Sequence, residues 1–448
     1  MNLTAQDRAQ FGKSRREIVS RAAQAELHPS GRAFHPLNVL RSSAAGRVRE
    51  LLPVKYARMQ VSPFAFFRGA VAIMAADLGR LPHSGLTVQL CGDAHVQNLG
   101  SFAAPDGRLV FDFNDFDETI RGPFEWDVKR MAVSIVLAGE ASGHDRPRCQ
   151  AAAAVFIESY CEAMHEFVSL PILQVARYTI ERQQRTQPVH RALLQSQRDR
   201  PADTVQRLTE PGAHGRPRFR NLRPSSWRIT GPRATAVLHS LREYGDSLAP
   251  ERRHLFQFFE PLDVGFKIVG TGSVGMRDYL VLLQGNGKRD PLLLQIKQEV
   301  ASAYAPWFPK GADGHAGQRV AQGQRALQPN SDLLLGWTTI GQHQYLVRQL
   351  DDHKGSIDLA ALRRGGLQSL AQVAGELLAR GHARSGDACA IHGYCGSGPK
   401  IVRALRDFAS AYADQTKKDF AAFTAAIRSG KIKVADPPLK PTSGAPKP

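Results

Sequence analysis

Asp93 and Asn98 stand five residues apart, and Asp112, Asp115 and Asp117 follow in the same segment, CGDAHVQNLGSFAAPDGRLVFDFNDFDETIRGPFEWD, residues 91–127. These residue types suit phosphoryl transfer. One carboxylate must orient an attacking hydroxyl and accept its proton, while an amide oxygen and a second carboxylate hold Mg2+ against nucleotide phosphates. Asp93 suits the first role. Asn98 with Asp112 or Asp115 suits the second, and Asp117 is a further candidate. Acids beside Phe111, Phe113 and Phe116 would be costly to half-bury without a cation. Read blandly, the same acids are turn formers and surface caps.

A second constellation lies far along the chain. Gly270, Gly272, Ser273 and Gly275 form a G-x-G-x-x-G string in IVGTGSVG. In a dinucleotide-binding unit a helix must begin at the third glycine; here the next residues, MRDYLVLLQG, read as a strand. After the Asn286-Gly287 turn comes LLQIK, ending in Lys297. Strand, glycine turn, strand, turn and strand with a late lysine is the order found around the phosphates in protein kinases. The glycines let backbone N–H groups approach phosphate oxygens, and Lys297 would neutralise the α- and β-phosphates. The glutamate that pairs with such a lysine is not evident: Glu299 is too close in sequence. Gln318 or Gln322, on a helix expected over 316–328, could substitute. Arg68, after the aromatic run FAFF, could reach a phosphate or pair with one of the acids.

These residues need elements to position them. FAFFRGAVAIMAADL (64–78) reads as a buried helix. LTVQL (86–90) reads as a strand, and 101–103 with 109–113 as a hairpin about the Pro105-Asp106-Gly107 turn. Helical spacing runs through 126–140 and 148–180, then again over 358–382 and 400–428. His382, Arg384 and Asp387 in GHARSGD could be read as a second catalytic loop, but read better as a helix terminus. The expected divisions are a basic segment 1–50, a helical lobe with both loops 51–182, an arginine-rich connector 183–260, a β-rich nucleotide-binding lobe 261–355, C-terminal helices 356–430 and a disordered tail 431–448.

The net charge of +18 attracts phosphate-bearing partners, and arginines crowd 182–233. No helix-turn-helix, zinc finger or aromatic-interleaved RNA motif accompanies them, so nucleic-acid binding is a minor reading. Five scattered cysteines, Cys91, Cys149, Cys161, Cys389 and Cys395, include no CxxC pair and suit a reducing cytoplasm. No apolar run reaches the roughly 18 residues a membrane span needs, and the first residues lack the apolar core of a secretory signal.

Gly92-Asp93-Ala94-His95-Val96-Gln97-Asn98 resembles the His-Gly-Asp-x-His-x-x-Asn loop of aminoglycoside and choline phosphotransferases, relatives of the protein kinases. Cys91 replaces the family's first histidine. The resemblance makes Asp93 the catalytic aspartate, His95 the loop histidine and Asn98 a metal ligand. It makes Asp112 the metal aspartate, with Asp115 a rival, and Asp127 the residue that anchors the loop from the following helix. It implies ATP and Mg2+ as cofactors, a small-molecule or protein hydroxyl as acceptor, and an α+β, protein-kinase-like two-lobed fold. Because the catalytic loop precedes the glycine turn, that fold would be circularly permuted. Over about residues 35–428 the strings SPFAFFRGA, VQLCGDAHVQNLG, FDFNDFDETIRGPFEWDVKR, VGTGSVGMRDYLVLLQG, YLVRQLDDHKGS, ARGHARSGD and AYADQTKKD resemble the bacterial family of unknown function numbered 2252. A pseudokinase that binds nucleotide without transfer is the alternative. A metallophosphoesterase, suggested by Gly-Asp-Ala-His, lacks the later Gly-Asn-His block.

Overall fold

The computed structural model describes residues 3–27, 31–178, 187–198, 201–268, 272, 274–287, 289–309, 314–350, 354–396 and 398–435. Gly270, Ser273 and most of the expected tail lie outside them.

Helices α1 (Ala5–Ile18) and α2 (Pro36–Ser42) lead into α3 (Leu52–Met59), α4 (Pro63–Gly69) and α5 (Val71–Leu78). The single helix expected over 64–78 is split at Ala70 (φ −121°, ψ 35°), where Gly69 packs so closely on Met59 that a Cβ would lie 2.5 Å from its side chain. Strand β1 (Thr87–Leu90) pairs with β4 (Ile120–Pro123). Between them stands the expected hairpin, β2 (Leu99–Ala103) with β3 (Leu109–Phe113).

Helix α6 (Phe124–Ala141) is buried on every side from Phe124 to Gly139. A helix so placed is normally apolar all round, yet α6 carries Glu125, Asp127, Lys129 and Arg130. Glu125 accepts from the Ser84 N–H and hydroxyl at 2.5 and 3.0 Å, and Lys129 lies 4.5 Å from the Phe408 ring centre. Asp127, Arg130 and Ser134 share one face at i, i+3, i+7. Around α6 pack α7 (Arg146–Ser169), which is followed by α8 (Ile172–Arg177), and two later helices, Gly366–Ser385 and Pro399–Arg428, building the larger core.

The described part of the arginine-rich stretch is folded: α9 (Gln187–Arg198), α10 (Pro201–Leu208), β5 (Thr209–Pro211), β6 (Pro217–Phe219) and β7 (Ser226–Ile229). After α11 (Pro232–Ser247) and α12 (Pro250–Phe256) come β8 (Glu260–Lys267), β9 (Asp278–Gln284) and β10 (Pro291–Glu299). Helix α13 (Ala316–Leu327) precedes β11 (Gly336–Ile340) and β12 (His343–Gln349). These strands form one antiparallel sheet in the order β11-β12-β10-β9-β8-β7, with its own core against α11. Strand β13 (Gly355–Ser356) returns to pair with β2. Then follow α14 (Gly366–Ser385), α15 (Ala388–Cys395) and α16 (Pro399–Arg428). The end of α14 touches the strand that enters the Asp93 loop: the Gln89 N–H donates to Ser385 Oγ at 3.1 Å. Helices grouped apart from antiparallel strands make this an α+β protein, the class expected from sequence. Among the described residues no helix is long and apolar enough to cross a membrane.

Candidate active site

The Asp93 loop begins at Gly92. Its φ of +87° favours glycine, and a Cβ there would lie 2.1 Å from the Glu118 carbonyl oxygen. From α6, Asp127 accepts the Cys91 N–H at 2.6 Å and the Gly92 N–H at 2.9 Å. One turn on, Arg130 donates from Nε and Nη2 to Asp93 Oδ1 at 2.7 and 2.5 Å. A further turn on, Ser134 Oγ accepts the Val96 N–H at 2.9 Å. One helix face thus fixes the loop at three points. His382, from α14, lies 3.4 Å from Asp127 and bonds Tyr160 through its other ring nitrogen at 2.8 Å.

Within the loop, Asn98 Nδ2 donates to the Asp93 and Asp115 carbonyls at 3.0 and 2.8 Å, tying the loop to the segment after β3. Its buried Oδ1 has no hydrogen-bond partner among the described residues. His95 Nε2 stands 3.8 Å from Asp93 Oδ2, and burial pulls its pKa down to about 4 despite that carboxylate. His95 is therefore neutral at pH 7.

Asp112 stands apart from this group. Both its oxygens accept from Arg380 Nη2, at 2.7 and 2.6 Å, in a buried pair with α14. Asp115 and Asp117 instead face the sheet. Lys297 Nζ lies 3.3 Å from Asp115 Oδ1, 182 residues away in the chain, and also pairs with Asp117. Burial alone would lower the pKa of the lysine, but Asp115, Asp117 and Glu299 outweigh it and hold it well above its ordinary value. For Asp117, burial and then the neighbouring Asp115 carboxylate push the pKa up. No hydrogen bond joins Gln318 or Gln322 to Lys297 among the described residues. Helix α13 contributes Arg319, which donates to the carbonyls of Asp117, Thr119 and Val300 and so fixes the acidic segment from the sheet side.

The glycine turn is held from the N-terminal side. Arg47 Nη1 donates to the Gly272 and Val274 carbonyls at 2.9 and 2.7 Å, and the Val48 N–H donates to Gly275 O at 2.7 Å. One cavity of about 350 Å³ is lined by Asp93, Asp115, Asp117, Glu118 and Glu299, by Gly272, and by Arg47, Lys55, Arg68 and Arg80. Such a volume lies at the small end of ligand pockets. Arg68 Nη1 donates to Gln97 Oε1 at 2.6 Å. The structure thus brings Asp93, Asp115, Asp117, Arg68 and Gly272 to one cavity, with Asn98 and Lys297 bonded directly to its acids. Asp112 and Asp127 are buried and are not among the residues that line the cavity; they are bonded instead to Arg380 and to the Cys91 and Gly92 N–H groups.

Among the described residues no group of three or more His, Cys, Asp or Glu side chains is set to hold a metal by itself. The donors nevertheless fit Mg2+, which keeps several waters and takes one or two carboxylates beside substrate phosphates. Asp115 and Asp117 lie close enough to share one lysine, and the orphaned Asn98 Oδ1 is an amide oxygen without a donor.

Arg130, Ser134, Arg319 and Lys55 did not emerge from the sequence. Arg130 and Ser134 carried a usable signal, since each falls on the helical face that Asp127 defines. The other two carried none.

The fold and site define an α+β protein in which Gly272 and a carboxylate cluster line one cavity, with the buried Lys297 bonded to two of those carboxylates. Residues 47–426 match the bacterial family described as "Uncharacterized protein conserved in bacteria (DUF2252)", and the chain belongs to that family. Comparison with curated proteins and with solved structures gave no match.

Proposed function

We propose that this chain is an ATP- and Mg2+-dependent phosphotransferase with a circularly permuted, kinase-like arrangement. The observation that carries the reading is the approach of Lys297 to Asp115 and Asp117 on the cavity that also holds Asp93 and the glycine turn. Phosphoryl transfer is catalysed by positioning and by charge placed around the phosphates. Asp93, with Oδ1 fixed by Arg130, would orient an acceptor hydroxyl through Oδ2 and take its proton. Lys297 and the backbone of the glycine turn would hold phosphate oxygens. Asp115, Asp117 and Asn98 would hold Mg2+, which supplies charge neutralisation when bound. The permutation is supported by the end of α14 lying beside β1: chain order differs from that of kinases, but the order in space around the site is what chemistry needs.

The second reading is a protein that binds nucleotide without transferring phosphate. It is favoured by the lack of an acid from α13 on Lys297. The two separate by incubating labelled Mg·ATP with bacterial metabolite pools. Transfer by the wild type that Asp93→Ala lowers by at least about a hundredfold supports the enzyme. Equal label with both proteins removes the enzyme reading.

A further inference from the structure

Several cations line the cavity beside its acids, and one of them makes no hydrogen bond at all among the described residues. Arg47 is bonded to the glycine-turn carbonyls, Arg68 to Gln97 through Nη1, with its buried Nε unpartnered among the described residues, and Arg80 to the Ala76 carbonyl and the Trp307 ring. Lys297 is held by two carboxylates. Lys55, on α3, is only 3% exposed and lines the cavity, yet among the described residues no hydrogen bond or ion pair engages it. Burial and then the neighbouring Arg47 push its pKa well below the ordinary lysine value, and Glu118 and Asp93 oppose this only through space. The Glu118 carboxylate is itself occupied by the Ala303 N–H at 2.6 Å. An ammonium taken out of water without a partner is costly, and an apolar side chain of the same length would fill the space more cheaply.

We propose that Lys55 is the seat of a polyphosphate oxyanion, which completes its coordination and neutralises its charge. Arg47, which acts on Lys55 through space, clamps Gly272 and Val274, and Gly272 lines the same cavity as Lys55. The N-terminal segment would then supply a second cationic phosphate ligand, besides the lysine of the sheet. The naming of the polyphosphate as that of a nucleotide rests on the function proposed above; the oxyanion seat itself does not.

The test is calorimetric titration of the full chain with sodium tripolyphosphate, Mg·ATP and adenosine. Wild type, Lys55→Met, Lys55→Gln and Lys55→Arg are compared, with folding checked by circular dichroism. The neutral variants should weaken tripolyphosphate and Mg·ATP by about tenfold or more, the scale of one charge-assisted hydrogen bond. They should leave adenosine unchanged, and Lys55→Arg should retain most of the affinity. Mg·ATP and tripolyphosphate binding that neither neutral variant weakens would overturn the role of Lys55 and leave the phosphotransferase reading standing. Lys55-dependent tripolyphosphate binding without Mg·ATP binding would uphold the seat and overturn the nucleotide reading. Absence of tripolyphosphate binding to the wild type would overturn the seat.

Discussion

Replacing Asp127 probes the support of the Asp93 loop without touching the cavity. Its carboxylate takes the Cys91 and Gly92 N–H groups at 2.6 and 2.9 Å, and it is only 1% exposed, away from bulk water. Asp127→Ala strands both donors. At roughly 1–3 kcal/mol for each buried unpaired group, the variant should lose about 2–6 kcal/mol of stability. Asp127→Asn keeps one acceptor oxygen and presents an amide N–H₂ to the other donor, so it should lose about half as much. Urea unfolding measures the loss. Hydrogen exchange resolved to peptides should locate it, with protection falling first over 91–98 and unchanged in the sheet around β9 and β10. A loss below about 0.5 kcal/mol, the range of ordinary surface substitutions, together with unaltered exchange over 91–98, would refute the claim that α6 holds this loop.

Other perturbations test the surrounding design. Arg380→Met leaves the buried Asp112 carboxylate with the Phe113 N–H but no paired cation, and should cost about 3–5 kcal/mol; adding Asp112→Leu should recover most of it, measured as a double-mutant cycle in urea. Asp278 is fully buried, and burial pushes its pKa up to about 7 against Lys297 and Gln295. The folded state therefore holds this proton more tightly than the unfolded one. The associated stability is complete below about pH 4 and is lost as pH rises through about 7. Asp278→Asn should consequently match the wild type near pH 4 and exceed it at pH 8 by up to roughly 4 kcal/mol, read as the melting-temperature difference across pH.

Much of the site was legible because its parts are local. A strand, a glycine at positive φ and an acid five residues before an amide can be read along the chain, as can the hairpin about Pro105-Asp106-Gly107. The glycine turn was legible because a strand and not a helix follows it, and β9 is that strand. The choice between Asp112 and Asp115 had no local signal. The two differ in their partners: Arg380, 268 residues away, bonds Asp112, while Lys297 reaches Asp115. Lys55 was invisible for a related reason: a lysine in LPVKYARM looks like the polar face of a helix until α3 is packed against the cavity. The arginine-rich stretch misled in composition. Arg228 pairs with Asp263 and Arg218 with Glu210, partners that lie outside the basic run or on another strand.

The central claim is that the glycine turn, Lys297 and the acids after β3 close on one nucleotide. Its most direct measurement is the affinity for Mg·ATP of the wild type, Lys297→Met and Asp115→Ala, each with and without Mg2+. The account predicts saturable, Mg2+-dependent binding by the wild type, weakened about tenfold or more by either substitution, with Asp115→Ala removing most of the dependence on Mg2+. Affinity for ATP that is absent in the wild type, or that neither substitution changes, would contradict it.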